Sequence, residues 1–264
     1  MRRNTKRILL AHVLALLGMG GVVGWTSALA QTPVRFNSSG TAFFVSPDGL
    51  LLTSNHVVKD KTKIAILMDG RLHEARIVKQ DAENDLAVLK IEKSPVPYLR
   101  LSRSENVPVG LEVFTLGYPQ LNVQGMGQKF SMGLINSDTG MRGSKRHFQF
   151  SAQIQRGNSG GPLLAPDGLV VGVVESKLGT LSAPSGTDAK AAVDLPQNVN
   201  YALKSSFAVE LLRDLPSVPE PLSINPRGEK RPFEVYRDAR YAVVPVLALS
   251  SSSPPPSSDN APPE

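Results

Sequence analysis

From Thr41 to about Tyr201 the sequence is a succession of short runs of Val, Leu, Ile, Phe and Thr, broken by turn signals roughly every eight to twelve residues. This is an all-β pattern. Residues 41–46 and 50–53 flank Pro47-Asp48-Gly49, where proline presets φ and glycine accepts a positive φ, so the two runs form a hairpin. Residues 63–68 and 71–78 flank Asp69-Gly70 in the same way, and 85–91 adds another alternating run. Further runs cover 112–116, 130–136 and 147–154, and the pair 161–164 and 169–174 surrounds Pro166-Asp167-Gly168. Strands this short and numerous build barrels or a sandwich.

Helical spacing appears only after Lys204, where Phe207, Val209, Leu211, Leu212 and Leu215 offer one apolar side and place a helix over 204–215. Beyond it, 216–264 is rich in Pro and Ser. It ends in a stretch from Ser250 that contains Pro254-Pro255-Pro256 and buries too little apolar surface to order itself. Residues 233–249 are the exception, apolar enough to add a strand or dock on the body.

The N-terminus carries Arg2, Arg3, Lys6 and Arg7, an apolar run from Ile8 to about Trp25, and Ala28-Leu29-Ala30 before Gln31. These are the three parts of an export signal, so 1–30 reads as a signal peptide and the chain as periplasmic or extracellular. The other reading is a retained membrane anchor, for which Gly18, Gly20, Gly21 and Gly24 make a poor spanning helix. Nowhere later do eighteen apolar residues run together, which excludes a polytopic membrane protein and limits membrane contact to export.

With 264 residues and 41% hydrophobic content the chain can bury a sizeable core. Four of its 29 basic residues lie in the signal, and the remaining 25 face 23 acidic ones. That balance, without a basic stripe interleaved with aromatics, argues against nucleic acid. There is no cysteine, so neither disulfides nor thiolate zinc sites are available. His56, His73 and His147 show no ligand spacing, and neither metal nor cofactor is expected.

Gly157-Asn158-Ser159-Gly160-Gly161-Pro162 is the most informative segment. Glycines on both sides of one serine let the backbone turn sharply and bring its amides near a reacting carbonyl. Acyl transfer by serine needs a base to take the hydroxyl proton and an anion to hold that base in the right tautomer. His56, in Leu52-Thr53-Ser54-Asn55-His56-Val57-Val58, and Asp85, opening Asp85-Leu86-Ala87-Val88-Leu89-Lys90, are candidates for both.

These three motifs, in the order His, Asp, Ser, resemble the trypsin-like, chymotrypsin-fold serine proteases and most closely their bacterial HtrA/Deg branch. The likeness extends to Ser39-Gly40-Thr41-Ala42-Phe43-Phe44-Val45, to Leu116-Gly117-Tyr118-Pro119 and to Asn200-Tyr201-Ala202-Leu203, and covers about 37–214. It implies two six-stranded antiparallel β-barrels, 31–105 and 106–203, with the active cleft between them. It also implies His56 as general base and then general acid, Asp85 as its orienting carboxylate and Ser159 as nucleophile. Gly157, Asn158 and Ser159 would form the oxyanion hole, through the amides of the first and last.

The departures from the family pattern carry expectations too. Where digestive members have Asp before the nucleophile, Asn158 carries no charge to meet a newly cut N-terminal ammonium. Loop rearrangement around 153–157 and 177–194 is then the expected switch. Fifty residues follow Asp214, too few for the PDZ module typical of the branch. By resemblance the specificity pocket involves Ile154, Glu175 and Ser176, with Ile154 pointing to a small aliphatic P1 residue. A Glu175 carboxylate buried near Asp85 would be costly, so it points outward or binds a basic group. His73 reads as a surface histidine, His147 as a strand residue, and Arg142, Lys145 and Arg146 as a solvated basic loop. The function implied is an exported serine endopeptidase acting on unfolded or extended polypeptide, in a family whose HtrA members form homotrimers. The alternative is a protease-like peptide-binding or chaperone module without turnover.

Overall fold

The computed structural model describes residues 38–103, 107–175 and 198–249. All of them belong to one compact unit, Arg35–Glu264. The expected signal peptide 1–30, Ser176, the whole of the 177–194 loop and the tail from Ser250 lie outside the described residues. Among the described residues no helix is long and apolar enough to cross a membrane.

Among the described residues twelve strands close into two antiparallel barrels of six strands each. The first contains β1 (Ser38–Phe44), β2 (Leu50–Ser54), β3 (Lys63–Met68), β4 (Arg71–Asp81) and β5 (Leu86–Ile91). The second contains β6 (Glu112–Gly117), β7 (Lys129–Ser137), β8 (His147–Phe150), β9 (Pro162–Leu164), β10 (Val170–Glu175) and β11 (Asn200–Lys204). The turns fall where the sequence places them. Asp69 and Gly70 have φ of 52° and 71°, and a two-residue hairpin of this handed twist needs positive φ at both positions.

The sixth strand of the first barrel comes from the far end of the chain. β12 (Val243–Leu249) inserts between β1 and β3. Residues 31–105 therefore do not close a barrel alone, and the Pro-rich region expected as a tail from 216 re-enters the body. Pro245 is tolerated in this strand because it opposes Thr41, whose amide is turned away to Ser159 O at 2.9 Å, while pairing with β3 begins only at Val246.

Strand alternation sorts the side chains into three cores. Ala42, Phe44, Leu51, Leu89, Ile91 and Val246 fill the first barrel, and Val113, Phe148, Phe150, Leu163 and Val171 fill the second. Intervening residues on the same strands, Phe43, Leu52, Leu86 and Val88 with Phe114, Leu116, Leu164 and Val173, meet between the barrels. Strands buried on both faces read as unbroken apolar runs, which is the reason 41–45 and 170–174 look so uniform. Beyond the single turns α1 (Asn55–Val58) and α2 (Leu121–Gln124), two longer helices finish this middle layer: α3 (Ser205–Leu212) contributes Ala208 and Leu212, and α4 (Pro232–Ala239) contributes Val235 and Ala239.

Candidate active site

His56 sits in α1 (Asn55–Val58), a single turn that follows β2 directly. Asp85 closes the turn before β5 with φ of 52°. The β2–β5 ladder runs as far as Ser54 opposite Leu86, and Asn55 N then donates to Asp85 O at 2.8 Å, so the two residues are carried to the same end of the sheet. There Asp85 Oδ1 accepts the His56 amide at 2.9 Å and Oδ2 lies 2.6 Å from His56 Nδ1. The carboxylate thus grips backbone and ring together, fixing Nδ1 as the protonated nitrogen and leaving Nε2 as an acceptor. The Asp85 side chain is 10% exposed and that of His56 42%, so the anion is shielded while the ring stays accessible.

Ser159 enters from the second barrel between β8 and β9 and is buried, at 4% exposure. Its loop is pressed against the first barrel. Gly160 has φ of 83°, and a Cβ there would lie 2.4 Å from Thr41 O and 2.5 Å from Ser54 N, two residues before His56. Gly157 has φ of 101°, and a Cβ there would lie 2.6 Å from Tyr118 O. Only glycine permits these approaches, and they bring the serine loop to the strand end that bears the histidine.

The peptide orientations in this loop are individually set. Asn158 N donates to Gln155 O at 3.0 Å, Gly160 N to Val174 O at 2.9 Å and Gly161 N to Asn158 O at 2.9 Å. Arg156 O accepts from Gln120 N at 2.9 Å, so the trans peptide directs the Gly157 N–H away from that contact. Among the described residues the amides of Gly157 and Ser159 take no acceptor. Two neighbouring unused donors beside a serine can donate together to one anionic oxygen.

Thr41 clasps the loop, a role the sequence did not reveal. Its fully buried Oγ1 donates to Gly157 O at 2.7 Å and accepts from Tyr118 N at 3.0 Å. Its amide goes to Ser159 O at 2.9 Å, and its carbonyl accepts from Thr53 Oγ1 at 2.8 Å. Burial pushes the Tyr118 phenol up, outweighing the hydrogen bond from Gln128, and the neutral hydroxyl donates to Val243 O at 3.2 Å. β12 therefore braces the 118–120 segment that packs against Gly157.

Ile154 lines a cavity of about 570 Å³ with Gln153, Gln155, Asn158, Phe130 and Asn200. Asn158 is buried, and its Oδ1 has no partner among the described residues. Glu175 does not point outward. Its side chain is 12% exposed and its Oε1 lies 3.2 Å from His147 Nε2, so the basic group it meets belongs to the chain itself. His147 opens β8 as expected, whereas His73 is half-buried opposite Ile66 with a shielded Nε2 rather than free on the surface. Among the described residues no three His, Asp or Glu side chains gather to hold a metal ion.

The family model described as trypsin-like peptidase domain matches residues 40–173. An uncharacterized protein y4bJ of Sinorhizobium fredii is 39% identical over 171 residues, 64% of this chain and 26% of that protein. A probable periplasmic serine endoprotease, DegP-like, of Hahella chejuensis is 34% identical over 183 residues, 67% of this chain and 38% of the relative. Among solved structures, the serine endoprotease from Yersinia pestis superposes with a TM-score of 0.54 at 29% identity, covering 69% of this chain and 61% of that one. The HtrA-type protease AlgW with decapeptide gives 0.53 at 31% identity, over 66% and 50% of the two chains. The chain spans well under half the length of the curated relatives it matches.

Proposed function

The chain belongs to the trypsin-like peptidase domain family, and from that premise we propose that it is a serine endopeptidase, exported to the periplasm or beyond, that cuts unfolded or extended polypeptide through an acyl-enzyme. The observation that carries this reading is the double grip of Asp85 on His56, at 2.9 Å to the amide and 2.6 Å to Nδ1. That grip presents Nε2 toward solvent as the acceptor a general base needs.

In this mechanism Ser159 Oγ attacks the scissile carbonyl as its proton passes to His56 Nε2, and the charge gained by the ring is balanced by Asp85. The carbonyl oxygen becomes an oxyanion between the amides of Gly157 and Ser159, with Asn158 between them keeping the loop neutral. Collapse breaks the C–N bond, and the same proton leaves with the amine. Water, activated by His56, then hydrolyses the ester and returns the proton to Ser159. Ile154 would line the P1 subsite and favour a small aliphatic side chain. Glu175 is engaged by His147 and would bound that subsite, next to Ser176, without receiving substrate charge.

Export through 1–30 is part of the same reading and accords with relatives named as periplasmic serine endoproteases. Polypeptide is the partner, and a homotrimer of the kind HtrA proteins form is the assembly to test. The decisive experiment offers the mature protein a permanently unfolded polypeptide and a folded control. Cleavage of the first, abolished by Ser159→Ala, supports the proposal. Binding without any product, in wild type and variant alike, assigns the cleft to peptide capture instead.

A further inference from the structure

Arg146 belongs to the second barrel and its main chain is rigidly placed. It immediately precedes β8, and its carbonyl accepts Lys204 N at 2.9 Å. Its side chain does not spread into solvent as the basic loop reading expects. It crosses to the first barrel, where Nη1 lies 3.0 Å from Glu83 Oε1 and Nη2 donates to Asn84 Oδ1, the residue directly before Asp85. The guanidinium also lies 5.4 Å from the Phe207 ring centroid, so α3 supports it from one side.

The turn it reaches is built to transmit a position. Asp81 Oδ1 accepts the amides of Glu83 and Asn84 at 3.1 and 3.0 Å, and Oδ2 accepts Asn84 Nδ2 at 2.5 Å. Asn84 is thereby held at both ends of its carboxamide, by Asp81 within the turn and by Arg146 from the other barrel. Asp85 follows in a left-handed conformation that disfavours a non-glycine residue unless its surroundings impose it. Resting on the serine peptidase reading above, we infer that Arg146 is a positioning residue which, through Asn84, holds the 81–85 turn so that the Asp85 carboxylate stays in register with His56. A screened pair to a carboxylate that is 80% exposed contributes little to stability, so the contact with Asn84 is the operative one.

The test compares Arg146→Gln, Arg146→Lys, Asn84→Ala and the Arg146→Gln/Asn84→Ala pair in the full chain. Arg146→Gln should lower kcat about ten- to a hundredfold, the scale of a misplaced catalytic group, with KM and melting temperature close to wild type. Arg146→Lys, a point charge without the fork, should recover part of the loss. If Arg146 acts through Asn84, the double variant should be no slower than the worse single variant. Proton NMR of the far-downfield His56 Nδ1–H resonance should report a weakened hydrogen bond to Asp85 in Arg146→Gln. That resonance reads the pair even in a chain that hydrolyses nothing, so a failed peptidase reading and a failed brace separate. An unchanged kcat and resonance in Arg146→Gln, or fully additive losses with Asn84→Ala, would overturn the inference.

Discussion

Replacing Thr41 by valine exchanges one hydroxyl for a methyl at a fully buried position and leaves the packing volume almost untouched. What it removes is two hydrogen bonds, 2.7 Å to Gly157 O and 3.0 Å from Tyr118 N, both between the barrels. Gly157 is buried and Tyr118 half-buried, and the new methyl group offers neither polar atom a partner. At about 1–3 kcal/mol for each polar group stranded in the interior, with Tyr118 near the low end, the variant should lose roughly 2–4 kcal/mol. For a body of this size that is a fall in melting temperature of roughly 5–15 °C, measured by calorimetry or circular dichroism. Because the same bond fixes the Gly157–Asn158 peptide that links the two proposed oxyanion donors, kcat should fall about ten- to a hundredfold, while KM changes little. Thr41→Ser keeps both bonds and should retain most of the activity. A Thr41→Val protein that melts with the wild type and turns over at the same rate would refute the claim that this hydroxyl ties the barrels together at the oxyanion loop.

Other expectations follow from the same geometry. Asp85→Asn should lower kcat by about 10⁴-fold at neutral pH, since an amide presents the wrong partner to His56 Nδ1; a loss under tenfold in steady-state cleavage would contradict its role. Gly160→Ala would drive a Cβ into Thr41 O and Ser54 N, so it should abolish labelling by a fluorophosphonate probe even where circular dichroism reports a folded protein. A chain stopped at Ala242 loses β12 and bares the edges of β1 and β3; it should aggregate or melt without cooperativity, and a sharp wild-type-like transition would show the strand to be dispensable. Burial alone would raise the Asp81 carboxyl, but hydrogen bonds from Asn84 and Glu83 and the nearby Arg146 hold it below its ordinary value of 3.8. Its contribution to stability is therefore complete above that value and lost as pH falls through the lower folded one. Acid titration of melting temperature should be shallower there in Asp81→Asn than in wild type.

Much of the fold is written locally. Pro47-Asp48-Gly49, Asp69-Gly70 and Pro166-Asp167-Gly168 fix three hairpins because proline and glycine limit φ independently of distant contacts, and the strands they join appear within a few residues of their expected ends. The helix expected over 204–215 forms as α3, and the strand before it, β11, is too short to stand out from the loop leading to it. α4 did have a signal, Pro232 at its first turn with Glu234 closing a box on Arg231, in the stretch whose apolar residues pointed to a strand or a docked segment rather than to a helix.

Position in the barrels was the harder matter. The apolar run 243–249 announces a strand, but nothing in it says that its partners lie about two hundred residues earlier. The site divides the same way. His56, Asp85 and Ser159 are visible because each chemistry needs a specific residue type in a specific backbone setting. Thr41 and Arg146 act across separations of 116 and 62 residues through bonds that any threonine or arginine could make, so only the folded chain distinguishes them. Glu175 illustrates the converse: its residue type drew notice as a possible substrate contact, and its geometry assigns it to His147.

In the proposed mechanism an exposed imidazole, held by a shielded carboxylate, activates one serine across the barrel interface. Mass mapping of the native protein after reaction with a fluorophosphonate tests it most directly. A single adduct on Ser159 is expected, absent in Ser159→Ala and His56→Ala and absent after unfolding. No adduct on the native chain, or one that persists without His56, would contradict it.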